Sequence, residues 1–199
     1  MAIKAIDLFS GGGGVSCGLT RAGFKVKAAV ELNHDAVCTY SAYPLLADVN
    51  VLERDICELS GRQILRAAGI RQDELYLLAG CPPCQNFSMQ NPKNKKKPAC
   101  ERKKLLFEYL RIVKEIYPPF ILMENVPGIT AEFNEKILNE FIRKLENRRG
   151  RPEEKYIIKK AVLNAADYAR SIQEKFFTLK NNISSLRNRC SGRNETSNR

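Results

Sequence analysis

The chain has 199 residues, 44% of them hydrophobic, and its 33 Lys and Arg against 22 Asp and Glu give a formal net charge of +11. This apolar content supports one folded domain with a core, which excludes a globally disordered chain. No apolar run approaches the roughly 18 residues of a membrane span, and the first residues do not form a signal peptide. The positive charge predicts a polyanionic partner, of which nucleic acid is the commonest.

The cysteines and the positive charges are both unevenly placed. Seven cysteines, an odd number at irregular spacing, argue against a disulfide scaffold and predict a reducing, cytoplasmic environment. Residues 91–104 contain seven Lys and Arg against one Glu, and residues 181–199 contain four Arg against one Glu. We expect the first segment to lie on the surface, and its role depends on the motif that precedes it.

Apolar segments of strand length alternate with amphipathic segments in the first 160 residues. We predict strands at residues 3–9, 26–32, 75–79, 120–123 and 156–163. Helices are predicted to end near residue 24 and to cover residues 35–43, 102–117 and about 137–145, with a further helix after the capping-box pair Ser60 and Gln63. This alternation predicts a doubly wound, mostly parallel α/β sheet in residues 1–179. The polar residues 180–199 are predicted to be a disordered basic tail.

The first candidate site follows the first predicted strand, where residues 7–14 read DLFSGGGG. Glycines after a strand let the backbone approach a ligand at the carboxyl edge of a sheet, although the dinucleotide pattern G-x-G-x-x-G is not completed here. Glu31 ends the second strand, where an acid can accept hydrogen bonds from ribose hydroxyls. Both features predict a nucleoside ligand. The alternative is a simple glycine turn with a surface glutamate.

The second candidate site is the segment GCPPCQNFS at residues 80–88. Its prolines fix the loop and leave Cys84 at the ligand edge of the sheet, a position suited to a nucleophile. Cys81 and Cys84 also form C-x-x-C, which is found in redox pairs and zinc sites. A zinc site needs a second pair, but only Cys100 is near and His34 is the sole histidine, so we favour the nucleophile.

The third candidate site, MENVPG at residues 123–128, ends the strand that follows. Glu124 would place a carboxylate at the same edge of the sheet as Cys84, provided that the two strands are neighbours. A carboxylate that caps a helix is the alternative.

In this order the three motifs resemble the DNA cytosine-5 methyltransferase family. The matching segments are DLFSGGGG at residues 7–14, PPCQNFS at 82–88, ENVPG at 124–128 and LNAADY at 163–168, with Arg102 and Leu105 ahead of the long helix. The resemblance covers about residues 3–168. It implies a Rossmann-like fold of the type found in S-adenosylmethionine-dependent methyltransferases.

The resemblance also implies roles for individual residues. Cys84 would add to C6 of a cytosine, and Glu124 would assist at N3 as an acid, so that C5 can accept the methyl group of S-adenosylmethionine. The cofactor would lie over Phe9, Gly11 and Gly13, with its ribose on Glu31. The residues expected to complete its pocket are Leu32, Asp55, Ile56, Cys81, Pro83 and Leu105.

For the substrate, the resemblance implies duplex DNA from which the target cytosine is flipped out. The loop after Cys84 would close on the DNA, and its lysines would contact phosphates without reading sequence. The residues expected to contact DNA are Gln85, Ser88, Lys93, Lys95, Lys96, Lys97 and Arg102.

The sequence departs from the family after Tyr168. The family pattern Gln-x-Arg-x-Arg is met only by Gln173, since Lys175 and Phe177 stand at the arginine positions. We find no match to the family's recognition domain or its final motif. We therefore expect an enzyme of a restriction-modification or orphan modification context that is incomplete by itself. Its alternatives are an inactive fragment, one subunit of a split enzyme with a second chain, a nucleic-acid-binding remnant, or a tRNA cytosine-5 methyltransferase.

Overall fold

The computed structural model describes residues 2–83, 99–125, 132–146, 156–164 and 174–179. They form seven strands: β1 (Ile3–Leu8), β2 (Phe24–Glu31), β3 (Asn50–Glu53), β4 (Leu75–Gly80), β5 (Phe120–Asn125), β6 (Lys159–Asn164) and β7 (Glu174–Leu179). Five helices connect or flank them: α1 (Gly14–Arg21), α2 (His34–Ser41), α3 (Gly61–Ala67), α4 (Ala99–Ile116) and α5 (Glu132–Glu146). No helix among these residues is long and apolar enough to cross a membrane.

The strands form one sheet in the order β3-β2-β1-β4-β5-β7-β6. The pairs β1–β2, β1–β4, β2–β3 and β4–β5 are parallel, whereas β7 runs antiparallel to both β5 and β6. The chain order therefore reverses at β1, between β2 and β4, which is the point where open α/β sheets bind ligands. The predicted mostly parallel α/β sheet is confirmed.

Apolar side chains cover both faces of the sheet, because successive residues of a strand point to opposite sides. On one face Ile6 and Leu78 belong to a core cluster with Tyr109 of α4 and Phe141 of α5. On the other face their neighbours in sequence, including Ala5, pack in a cluster with residues of α1. Helices on both faces make the sheet doubly wound, as predicted.

Most predicted elements are present with shifted ends. The capping box at the start of α3 is confirmed, since Ser60 accepts a hydrogen bond from the backbone N–H of Gln63 and the Gln63 side chain accepts one from Ser60. The strand predicted at residues 156–163 corresponds to β6, which starts at Lys159. The strand β7 was not predicted. The predicted tail, residues 180–199, lies outside the described residues.

Backbone hydrogen bonds continue past the strand ends and align them at the carboxyl edge. The N–H of Ser10 donates to the carbonyl of Val30 at 3.1 Å, and the N–H of Cys81 donates to that of Leu8 at 3.1 Å. The segments after β1, β2 and β4 are thus fixed side by side. The first two candidate motifs consequently meet at the switch in chain order.

Candidate functional site

A cavity of about 630 Å³ lies at this carboxyl edge. Its size is within the range of roughly 300–1,000 Å³ that is typical of small-molecule sites. The lining residues are Phe9, Gly11, Val30, Glu31, Leu32, Asn33, His34, Arg54, Asp55, Ile56, Cys81, Pro83 and Leu105. All the predicted cofactor residues except Gly13 are therefore brought together, and sequence reasoning missed Val30, Asn33, His34 and Arg54.

Glu31 joins the glycine loop to the end of β2. One carboxylate oxygen accepts a hydrogen bond from the backbone N–H of Gly11 at 2.9 Å. The other accepts from the N–H groups of Leu32 at 2.9 Å and Asn33 at 2.8 Å. Three backbone donors thus hold the carboxylate in one orientation at the cavity wall, where it can also accept from hydroxyl groups of a ligand.

The backbone of the glycine loop is left-handed at three positions. Phe9 has φ 56° although it carries a side chain, and a residue held in this region costs of order 1–3 kcal/mol and is common at functional sites. Gly11 has φ 52° and nothing within 4 Å of a Cβ placed on it. The loop therefore brings the Phe9 side chain and the bare backbone of Gly11 to the cavity.

Gly13 serves packing behind the loop and is not among the residues that line the cavity. It has φ 93°, and a Cβ there would lie 2.7 Å from a methyl carbon of Leu46 and 3.0 Å from the ring of Tyr40. The backbone at Gly13 thus approaches two buried side chains closely, and a cofactor contact there stays a prediction. The third position of the run therefore requires glycine, because a side chain there would collide with Leu46 and Tyr40.

A buried chain of hydrogen bonds supports the loop from below. Tyr40 donates to the Ser16 hydroxyl at 2.8 Å, and Ser16 donates to the Asp7 carboxylate at 2.7 Å. Asp7 is fully buried, and this burial raises its pKa from 3.8 to about 6, although the bond from Ser16 acts in the opposite direction. This chain links β1, α1 and α2, the three elements that surround the loop.

Leu32, Asp55 and Ile56 also belong to the wall of the cavity. Leu32 is 64% exposed, so its side chain is accessible to a ligand in the cavity. Asp55 accepts a hydrogen bond from the N–H of Cys57 at 2.8 Å, and this bond holds the Asp55 pKa below its usual value. The backbone before Ile56 is thereby fixed beside the cavity.

The third motif meets the second at the ends of β4 and β5. Gly80 pairs with Met123, so the residues that follow Gly80 lie next to Glu124, which is half-buried. Buried Asn125 donates its side-chain amide to the carbonyl of Pro82 at 3.2 Å. β4 and β5 are neighbours, which is the condition on which the predicted proximity of Cys84 and Glu124 depends.

Tyr109 of α4 pins these two strands together. Its hydroxyl lies 3.2 Å from the carbonyl oxygens of both Leu78 and Leu122, one on each strand. Its ring lies against the backbone of Gly80, where an added Cβ would come within 2.5 Å of it. A glycine is therefore required immediately before the Cys-Pro-Pro-Cys segment, because the tyrosine ring occupies the space.

Several predicted residues cannot be placed. Arg102 lies in α4, but only its backbone is described. Outside the described residues are Cys84, Gln85, Ser88, Lys93, Lys95, Lys96 and Lys97. Their roles stay predictions, as does the choice between a nucleophile and a redox or zinc pair at Cys81 and Cys84. Within the described part of the chain, no three His, Cys, Asp or Glu residues are placed to hold a metal ion.

Comparison with known proteins gives a consistent result. The family described as C-5 cytosine-specific DNA methylase matches residues 3–173. The type II methyltransferase M.AquIA of Picosynechococcus is 34% identical over 92% of this chain and 73% of its own length. The type II methyltransferase M1.HphI of Haemophilus parahaemolyticus is 37% identical over 84% of this chain but only 42% of its own length.

Solved structures agree with the fold. A structure assigned as a prophage-encoded DNA modification methyltransferase of E. coli superposes with a TM-score of 0.73 and 30% identity, covering 94% of this chain and 48% of that one. The Dnmt2 methyltransferase of S. pombe, at 17% identity, shares the fold with a TM-score of 0.64. The sheet is therefore that of the Rossmann-like methyltransferases, and the chain belongs to the C-5 cytosine-specific DNA methylase family.

Proposed function

We propose that this chain is the catalytic part of a DNA cytosine-5 methyltransferase that uses S-adenosylmethionine. The observation that carries the proposal is the meeting, at one edge of the sheet, of the cavity around Glu31 and the ends of β4 and β5. The cavity would take the nucleoside part of the cofactor, and the ends of β4 and β5 would bring Cys84 and Glu124 near to it. A methyl donor and a base could therefore approach each other there.

The cavity has the chemistry that S-adenosylmethionine requires. Glu31, oriented by three backbone N–H groups, would accept hydrogen bonds from the ribose hydroxyls. The exposed face of Leu32 and the side chain of Ile56 would cover the adenine. The bare backbone at Gly11 leaves room for the methionine part. When bound, the cofactor supplies an electrophilic methyl group.

Two side chains would activate the cytosine, whose C5 is a poor nucleophile. The Cys84 thiolate would form a bond to C6, which turns C5 into the nucleophilic end of an enamine. The Glu124 carboxyl group would donate a hydrogen bond at N3, where negative charge develops, and general acid assistance of this kind contributes typically about 10²–10⁴ in rate. After methylation, loss of the C5 proton would expel Cys84 and restore the ring.

Binding of DNA would rest first on positive charge. The net charge of +11 and the lysines of residues 93–97 suit contacts to phosphates, which give affinity without sequence information. The chain spans about 36–44% of the length of three of the curated relatives it matches. We infer that recognition of the target sequence uses residues beyond the matched part, in the same polypeptide or a second chain. A cytoplasmic restriction-modification or orphan modification system would be its setting.

The proposal is tested with the chain alone and together with the product of the reading frame next to its gene. Methyl transfer from labelled S-adenosylmethionine is measured on duplex DNA and on tRNA, and the product nucleoside is identified. Label in 5-methylcytosine of DNA supports the proposal, whereas label confined to tRNA would favour the tRNA methyltransferase alternative.

The nucleophile is tested with DNA that contains 5-fluorocytosine, in which fluorine blocks the proton loss that releases the cysteine. We expect a covalent adduct that is lost in Cys84→Ser and retained in Cys81→Ser. An adduct in the Cys84→Ser protein, or its loss in Cys81→Ser, would contradict the assignment.

A further inference from the structure

His34, which lines the cavity, forms a hydrogen-bonded cluster with two other side chains, and this cluster has no role in the proposed methyl transfer. His34, the first residue of α2, has its Nδ1 atom 3.0 Å from a carboxylate oxygen of Glu53 at the end of β3. Its Nε2 atom lies 3.5 Å from the Sγ of Cys38, one helical turn further along α2. The cluster thus has the order thiol, imidazole and carboxylate.

The hydrogen bonds define where the protons lie. An ionised carboxylate accepts only, so the Nδ1 of His34 must carry the proton that it shares with Glu53. In a neutral imidazole the other nitrogen is then an acceptor, and Nε2 faces the Cys38 thiol. A thiol beside a base that a third group orients is the arrangement that activates nucleophilic cysteines. His34 is therefore placed to receive the thiol proton of Cys38.

The cluster is open to small reagents in solution. The side chains of His34 and Glu53 are 71% and 46% exposed, and Cys38 is exposed as well. Cys57 provides a contrast. It is half-buried, and this burial is the main reason why the pKa of its thiol is raised; a hydrogen bond with Asp55 acts in the same direction. A raised pKa disfavours the reactive thiolate. Of the four cysteines whose side chains the structure describes, Cys38 alone is exposed, and its sulfur has the imidazole of His34 beside it.

We propose that Cys38 is a thiol modification site, activated by His34 and Glu53, that reacts with low-molecular-weight disulfides. The sulfur of Cys38 attacks one sulfur of the disulfide as His34 takes its proton. A bond forms between these two sulfurs, the original S–S bond breaks, and the departing thiolate receives the proton from the His34 imidazolium. The product is a mixed disulfide on α2, and a reducing thiol reverses it by the same exchange.

The test measures the rate of mixed disulfide formation at each cysteine. The reduced protein is treated briefly with oxidised glutathione at neutral pH, quenched with acid, and mapped by peptide mass spectrometry. Cys38 is expected to react faster than Cys57. Because a free thiol is only a few per cent thiolate at neutral pH, losing the base in His34→Gln should slow Cys38 by about tenfold. Glu53→Gln should slow it less, since the imidazole remains.

Two controls separate activation from unfolding. Asp35→Asn removes a negative charge from the same helix but leaves the cluster intact, and it should not slow Cys38. The rate at Cys57 reports folding in every variant, because unfolding would expose that thiol and accelerate its reaction. An equal rate at Cys38 and Cys57 in the unmodified sequence, or an unchanged Cys38 rate in folded His34→Gln, would overturn the proposal.

Modification at Cys38 should also affect the cavity, because His34 belongs to its wall; this consequence rests on the proposed function. The glutathionylated protein is expected to bind S-adenosylmethionine more weakly than the reduced protein, and treated Cys38→Ser should bind like untreated protein. Equal binding before and after modification would overturn this link to the cavity. Failure of the reduced protein to bind would instead contradict the proposed function, while the labelling rates still decide the thiol site.

Discussion

The side chain of Asn125 donates a hydrogen bond to the backbone carbonyl of Pro82 across 3.2 Å in the protein interior. Asn125 directly follows Glu124, and Pro82 lies two residues before Cys84. This bond therefore ties the segment of Glu124, the proposed acid, to the segment that leads to Cys84, the proposed nucleophile. The asparagine of the Glu-Asn-Val motif thus has a structural role that its place in the motif does not reveal.

Replacing Asn125 by alanine should destabilise the protein. The variant removes a buried hydrogen bond, which typically contributes about 0.5–1.5 kcal/mol to stability. Asn50→Ala is a matched control, because the Asn50 amide donates to the carbonyl of Ala67 at 2.9 Å on the exposed surface, and such changes are usually within about 0.5 kcal/mol. Urea denaturation measures both, and equal losses would argue against a special role for the Asn125–Pro82 bond.

Gly13→Ala should be strongly destabilising because the new Cβ meets Leu46 and Tyr40 and because φ is 93°. For a residue with a side chain, the left-handed backbone conformation alone costs of order 1–3 kcal/mol. The next residue provides the control, since Gly14 begins α1 and has nothing within 4 Å of an added Cβ. Gly14→Ala should be neutral or stabilising by up to about 1 kcal/mol. Similar melting temperatures for the two variants would contradict the packing role assigned to Gly13.

Three features show which parts of this structure can be predicted from the sequence. Local patterns such as the capping box at Ser60 depend on neighbouring residues only, so they were predicted correctly. The strand β7 was missed because its place is set by pairing with β5 and β6, distant in sequence. Similarly, the glycine run predicts a loop that approaches a ligand, but it does not predict the close packing of Gly13 against Tyr40 and Leu46, which are distant in sequence.

Asp7 should make stability depend on pH. Its pKa is raised in the folded protein from 3.8 to about 6, so between these values the folded state retains a proton that the unfolded state has lost. The contribution of Asp7 to the stability of the folded protein is therefore fully present below pH 3.8 and is lost as the pH rises through about 6. A rise of the Asp7 pKa from 3.8 to about 6 corresponds to at most about 3 kcal/mol in the free energy of unfolding.

The measurement compares the unfolding free energy of the unmodified protein with that of Asp7→Asn from pH 4 to pH 7. Relative to the variant, the unmodified protein should become less stable as the pH rises over this interval. Parallel curves for the two proteins would show that Asp7 does not titrate there.

Arg111 of α4 should support the cavity from outside. Its guanidinium donates to the carbonyls of Ile56 and Leu59, each at 2.9 Å, and to the carboxylates of Glu108 and Glu115, each at 2.7 Å. Removing such bonds in Arg111→Ala should cost about 1.5–3 kcal/mol and weaken S-adenosylmethionine binding, because the Ile56 segment lines the cavity.

Two further variants serve as controls. Arg111→Lys should recover part of the stability and part of the binding, whereas Arg71→Ala, which removes an exposed ion pair, should change neither. Loss of stability with unchanged binding would restrict Arg111 to a role in folding.

The most direct test of the account is calorimetric titration of the 199-residue chain with S-adenosylmethionine. The unmodified protein should bind one equivalent, because the Glu31 carboxylate stands oriented at the cavity wall. Glu31→Ala should abolish binding while circular dichroism shows a folded protein. Glu74→Gln, which alters a glutamate paired with Lys4 at the opposite edge of the sheet, should bind like the unmodified protein. No binding by the folded unmodified chain, or equal affinity in Glu31→Ala, would contradict the assignment of this cavity as the cofactor site.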